Sequence, residues 1–119
     1  MNKTIGFIGC GNMGGAMIGG IIKSNIVPAN KVYVADLNEK ALKETKEKYG
    51  VSITTDNVEL AKASDVIILA IKPNLYPTVI NQIKDDVKEN VIIVTIAAGK
   101  DIKGTEDAFG KRIKVVRVM

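Results

Sequence analysis

Histidine and tryptophan are absent from the 119 residues, cysteine occurs once, and three tyrosines and two phenylalanines are the whole aromatic complement. Without histidine there is no imidazole to act as a general base or to complete a zinc site, so no metal is expected. Cys10 alone cannot close an internal disulfide, which makes a reducing, cytoplasmic setting the expectation. So few aromatics leave no stacking platform for bases. The formal net charge of +4, from 17 basic and 13 acidic residues, therefore reads as solvated surface with a mild attraction for small anions, and no nucleic acid is expected as a partner. No apolar run approaches the roughly 18 residues of a membrane span, and the N-terminal stretch lacks the length and cleavage site of a secretory signal. No membrane partner is expected.

Glycine is what the sequence has in excess, and in one place. Seven of the 11 glycines (Gly6, Gly9, Gly11, Gly14, Gly15, Gly19 and Gly20) fall in the first 20 residues. They follow a β-branched run, Thr4 to Ile8, and lie inside a segment, Asn12 to Lys23, whose Met13, Ala16, Met17, Ile21 and Ile22 sit at helical spacing. Each helical glycine costs about 1 kcal/mol relative to alanine, so Gly14, Gly15, Gly19 and Gly20 call for close packing on a neighbour or ligand. Further on, Val32–Ala35 reads as a strand, and Asn38 caps a helix over Glu39–Tyr49 that Gly50 ends. Val51–Ile53 is a short strand, and Asp56 or Asn57 caps a helix through Ala63. Val66–Ile71 is a strand buried on both faces and stopped by Pro73. A helix over Tyr76–Val87, a strand over Val91–Ile96, a short helix over Asp101–Phe109 and a strand over Ile113–Val118 complete the alternation. Such alternation predicts an α/β fold: a single Rossmann-type domain over residues 1–119, its doubly wound parallel sheet in the order 3-2-1-4-5-6. Ending on a strand, the sequence reads as cut from a longer chain.

The chemistry is expected at the first strand-to-helix turn. Gly9-Cys10-Gly11-Asn12-Met13-Gly14 spells GxGxxG, between a strand and a helix, and Asp36 follows about 20 residues on at the end of the second strand. Gly9 permits the sharp turn, Gly11 lets a pyrophosphate approach the backbone, and Gly14 lets the helix lie on the sheet. The amides of Gly11, Asn12 and Met13 would face the phosphates, with the positive end of the helix dipole behind them. Asp36 would accept hydrogen bonds from the adenosine ribose, which favours NAD. Asn38 and Lys40 could instead bind a 2′-phosphate if Asp36 turned aside, while Asn38 also serves as a plain cap. Cys10 is read as a small residue without a redox role. Ala70-Ile71-Lys72-Pro73 and Ala97-Ala98-Gly99 end the fourth and fifth strands, at the sheet edge where ligands sit in this fold. Their small residues leave room for ribose and nicotinamide. Lys72 either touches cofactor or substrate or lies on the surface, and Asn57 could reach the adenine side.

The ordered set Ile8 to Gly14, Ser64-Asp65-Val66, Ala70 to Pro73, Ala97 to Gly99 and Val116-Arg117-Val118-Met119 resembles pyrroline-5-carboxylate reductase over the whole chain. The resemblance implies an NADPH- or NADH-dependent oxidoreductase that reduces the small imine 1-pyrroline-5-carboxylate to proline, in proline biosynthesis. It implies that Ile8 to Met13 hold the pyrophosphate, that Asp36, Asn38 and Asn57 lie around the adenosine, and that Ala70 to Pro73 with Ala97 to Gly99 line the nicotinamide half. Many members carry a smaller polar residue at the position of Asp36. The family continues into a helical domain that dimerises and binds the substrate. No catalytic residue is therefore expected in this chain, which alone would be inactive, with homo-oligomer formation left to the missing part. Another reductase of the β-hydroxyacid dehydrogenase type and a stand-alone dinucleotide-sensing module are the alternatives.

Overall fold

The computed structural model describes residues 3–96, 105, 109 and 113–117. Six strands, β1 (Ile5–Ile8), β2 (Val32–Ala35), β3 (Ser52–Thr54), β4 (Val66–Leu69), β5 (Ile92–Thr95) and β6 (Lys114–Arg117), form one sheet. Their order is β3-β2-β1-β4-β5-β6 and every pair is parallel. Parallel neighbours need crossover connections. Four helices make them among the described residues: α1 (Asn12–Lys23), α2 (Glu39–Tyr49), α3 (Asn57–Ala63) and α4 (Tyr76–Ile83). The expected doubly wound fold is therefore present, and the expected helix over Asp101–Phe109 lies almost wholly outside the described residues.

Alternation along the strands divides the core in two. Ile5, Phe7, Val32, Val34 and Ile68 pack with Ile18 of α1 and Leu42 of α2 on one face. Ile8, Ala35, Ile67, Leu69 and Ile93 pack with Leu60 of α3 and with Tyr76, Val79, Ile80 and Ile83 of α4 on the other. Burial on both sides is why these strands read as continuous apolar runs rather than alternating ones. The order also reverses between β1 and β4, whose Ile8 and Leu69 are register partners. That reversal opens a crevice at the carboxyl edge of the sheet, where ligands of this fold lie.

The third strand is Ser52–Thr54 rather than Val51–Ile53, β1, β5 and β6 lose a residue or two at their ends, and two boundaries shift further. β4 ends at Leu69, not Ile71. The Leu69 carbonyl accepts from the Tyr76 hydroxyl at 3.1 Å, and Pro73 opens a 3-10 turn over Pro73–Leu75 rather than stopping a strand. Helix α4 ends at Ile83, not Val87. Asp85 and Asp86 would put negative charge at the negative end of the helix dipole, and the chain instead turns, the Asp86 amide donating to the Ile83 carbonyl at 2.8 Å. In α1, Ile18 is the fully buried side chain and Ala16 is exposed, because Gly14, one turn before Ile18, faces the sheet. No helix among the described residues is long and apolar enough to cross a membrane.

Candidate dinucleotide site

The turn from β1 into α1 assigns a different task to each of its glycines. Gly9 has φ +103°, and a Cβ there would lie 2.4 Å from the Ala70 carbonyl oxygen. It is doubly closed to other residues, by conformation and by contact. A Cβ on Gly14 would lie 2.6 Å from the Gly9 carbonyl oxygen and 3.1 Å from Ala70 Cβ, so this glycine brings α1 against the turn and the adjacent β4 end. Around Gly11, by contrast, a Cβ would meet nothing within 4 Å. Protein packing does not require glycine there, and the space above it is open. Gly11 is also the N-cap of α1 and supplies no side-chain cap, and the first turn of the helix carries no acidic residue. First-turn amides have no acceptor within their own helix, so this end offers N–H donors to an anion.

Of the other helical glycines, one has a close protein neighbour and two do not. Gly19 has one, since a Cβ would come within 2.7 Å of the Tyr49 hydroxyl of α2. A Cβ on Gly15 would make an ordinary contact at 3.7 Å, and one on Gly20 would meet nothing. The structure gives no reason for glycine at position 20.

Asp36 reaches back into the turn. Its Oδ2 accepts from the Cys10 amide at 3.1 Å and the Cys10 thiol at 3.5 Å, while Oδ1 accepts from the Asn38 amide at 2.9 Å. The carboxylate thus ties the end of β2 to the second residue of the GxGxxG turn. Burial pushes the Cys10 thiol up to about 11, with the nearby Asp36 charge adding to the rise and a hydrogen bond with Thr45 opposing it. At neutral pH the thiol stays protonated, and a protonated thiol is a poor nucleophile.

The remaining predicted residues sit along the same edge. Asn38 caps α2, its Oδ1 accepting from the Ala41 amide at 3.1 Å, which leaves its amide nitrogen to other partners. Asp56, not Asn57, caps α3, accepting from the Val58 amide at 2.9 Å. Asn57 instead donates from Nδ2 to Oε1 of Gln82 at 3.0 Å. Ala70 and Ile71 follow β4 beside Gly9, and Lys72 is exposed before the 3-10 turn that Pro73 begins. Ala97, Ala98 and Gly99 lie outside the described residues. The structure brings Ile8 to Gly14 and Ala70 together at the switch point, joins Asp36 to that cluster by hydrogen bonds, and leaves Asn57 farther out. Leu37 and Gln82 escaped the sequence reading. Leu37, 86% exposed, carries no pattern signal beyond an apolar residue between two polar ones, and Gln82 has no motif at all. Among the described residues no cluster of three or more His, Cys, Asp or Glu could hold a metal ion.

A family model described as NADP oxidoreductase, coenzyme F420-dependent, matches residues 4–99. The pyrroline-5-carboxylate reductase of Methanosarcina acetivorans is 38% identical over 118 residues, which are 99% of this chain and 44% of that protein. The solved pyrroline-5-carboxylate reductase of Coxiella burnetii superposes with a TM-score of 0.93 at 33% identity, over 100% of this chain and 44% of that one. The Plasmodium falciparum pyrroline carboxylate reductase, solved with NADP bound, superposes with a TM-score of 0.86 at 30% identity, over 99% of this chain and 42% of that one. The chain thus spans less than half the length of the relatives it matches.

Proposed function

The chain belongs to the NADP oxidoreductase, coenzyme F420-dependent, family, and on that premise we propose that it binds NADP(H) as the cofactor-binding half of a reductase that converts 1-pyrroline-5-carboxylate to proline. The observation that carries the reading is the open space over Gly11, between two glycines that packing itself demands. A Cβ would fill that space, so the residues present fit a pyrophosphate lying on the amides of Gly11, Asn12 and Met13. Asp36 holds the turn in shape through the Cys10 amide. With that carboxylate turned inward, the Asn38 side-chain nitrogen and Lys40 flank the place of a 2′-phosphate. In this reading Asn57 lies on the adenine side, and Ala70 and Ile71 border the nicotinamide half.

When bound, the reduced nicotinamide supplies a hydride to the imine carbon. The residues of this chain orient the cofactor and exclude water from one side of it, and alignment is the larger part of such catalysis. None of them is assigned a proton-transfer role. The substrate pocket and the homo-oligomer contacts belong, in this reading, to the part of the relatives' length that this chain does not span. NADH is the second reading, favoured by the presence of an acid at position 36. Titration with NADPH and NADH tests the proposal directly: binding is expected for NADPH, and failure of both cofactors to bind would overturn it. Turnover of pyrroline-5-carboxylate by the 119-residue chain alone would overturn the assignment of the substrate pocket elsewhere.

A further inference from the structure

We propose that Gln82, paired with Asn57, reads the hydrogen-bonding edge of the adenine base and so sets the purine specificity of the cofactor site. The inference rests on the dinucleotide reading above and goes beyond it, since nothing in that reading calls on α4. The observation is a cavity of about 370 Å³ lined by Leu37, Thr55, Asp56, Asn57, Val58 and Gln82. Leu37 directly follows Asp36 at the end of β2, and Thr55 and Asp56 follow β3, so the cavity opens at the carboxyl edge of these two strands, one step outward from the glycine turn. A base attached to a ribose near Asp36 arrives there.

The lining is suited to a flat heteroaromatic ring. Leu37, 86% exposed, is an apolar side chain with no packing role in the protein, free to cover one ring face. The segment that carries Thr55 and Asp56 is held from behind: Glu59 of α3 accepts from the Tyr33 hydroxyl of β2 and, at 3.3 Å, from the Thr54 hydroxyl of β3, and the Thr54 oxygen in turn accepts from the Asp56 amide at 3.0 Å. In the lining the two side-chain amides of Asn57 and Gln82 meet at 3.0 Å. One amide donates and the other accepts, so the pair retains one carbonyl oxygen and further N–H donors, whichever way round it is arranged. Adenine presents its 6-amino donor beside the N7 acceptor, the pattern that carboxamide side chains match with two hydrogen bonds. On the N7 edge hypoxanthine presents two acceptors, the 6-carbonyl and N7, and leaves the amide oxygen facing another acceptor.

The test compares NADPH with its hypoxanthine analogue, in which a carbonyl replaces the 6-amino group and N1 carries a proton while N7 is unchanged, by fluorescence titration of the chain. NADPH is expected to bind about fivefold more tightly, the low end for a two-bond base contact because Gln82 is exposed. In Gln82→Leu, and independently in Asn57→Ala, the preference is expected to collapse to near unity, chiefly through loss of NADPH affinity, while binding of the analogue hardly changes. Equal affinities in the unaltered chain, or a preference that survives both substitutions, would overturn the inference while leaving the phosphate cradle standing. Binding of neither compound would overturn the cradle as well. Gln82 is a surface residue, so its replacement leaves the fold in place, and the ratio of the two affinities is a readout that a structural role would not move.

Discussion

The turns that follow β1 and β4 start from register partners, Ile8 and Leu69, lie side by side at the switch point, and are built with opposite polarity. After β1, the chain passes through Gly9 and Gly11 into the uncapped end of a 12-residue helix, and the brace is an acceptor: the Asp36 carboxylate takes the Cys10 amide. That leaves donors further along the turn to face outward. After β4, the chain passes through Ala70 and Ile71 into a 3-10 turn begun by a residue without an amide hydrogen, and the brace is a donor: the Tyr76 hydroxyl gives its proton to the Leu69 carbonyl. There the exposed Lys72 side chain is the charge on offer to an anion, and Pro77 in the first turn of α4 removes one backbone donor. Two equivalent positions in a doubly wound sheet thus differ in what they can bind because of which backbone groups their braces consume. In the proposed reading one turn is a phosphate cradle and the other a wall.

The largest expected effect comes from breaking the contact between them. Gly9→Val forces a β-branched residue to φ +103° with its Cβ 2.4 Å from the Ala70 carbonyl, and a loss of about 3 kcal/mol or more is expected in chemical denaturation. A stability change under about 1 kcal/mol would mean that the two turns are not in fixed contact. Gly11→Val is the sharper cut. Its Cβ meets no protein atom within 4 Å, so stability should barely move, within about 0.5 kcal/mol, while NADPH titration should find binding lost. Unchanged affinity would remove the cradle from the β1 turn altogether.

Asp36→Ala separates brace from reader. If the carboxylate acts chiefly by holding Cys10, both NADPH and NADH lose affinity by about tenfold, the size of one hydrogen bond to a charged group. A loss confined to NADH would place its action on the ribose instead. This distinction was beyond the sequence. GxGxxG, its flanking elements and the strand order were legible because glycine spacing and apolar runs are local properties, and the fold follows from their alternation. The direction of the Asp36 side chain was not, since an acid at a strand end has the same pattern whether it faces a ribose or a neighbouring amide. Gln82 and Leu37 were invisible for a related reason: their meeting in one cavity comes from the packing of α4 on α3 and from a loop conformation. The end of β4 was misplaced because Ala70 and Ile71 continue the apolar run, and what turns the chain is Gly9 and Tyr76, both distant from the run itself.

The smallest expected effect tests the other turn. Tyr76 is buried, at 2% exposure, and in Tyr76→Phe the ring still fills its place while the Leu69 carbonyl loses a donor at 3.1 Å. Leaving that acceptor unmet costs about 1 kcal/mol, and urea denaturation is the measurement that reads it. Cofactor affinity should stay put, because the β4 turn contributes shape rather than donors. If Tyr76→Phe instead lowered NADPH affinity about tenfold, as Asp36→Ala is expected to do, the two braces would be equivalent in function despite their opposite polarity. The contrast between cradle and wall would then lie in the glycines alone.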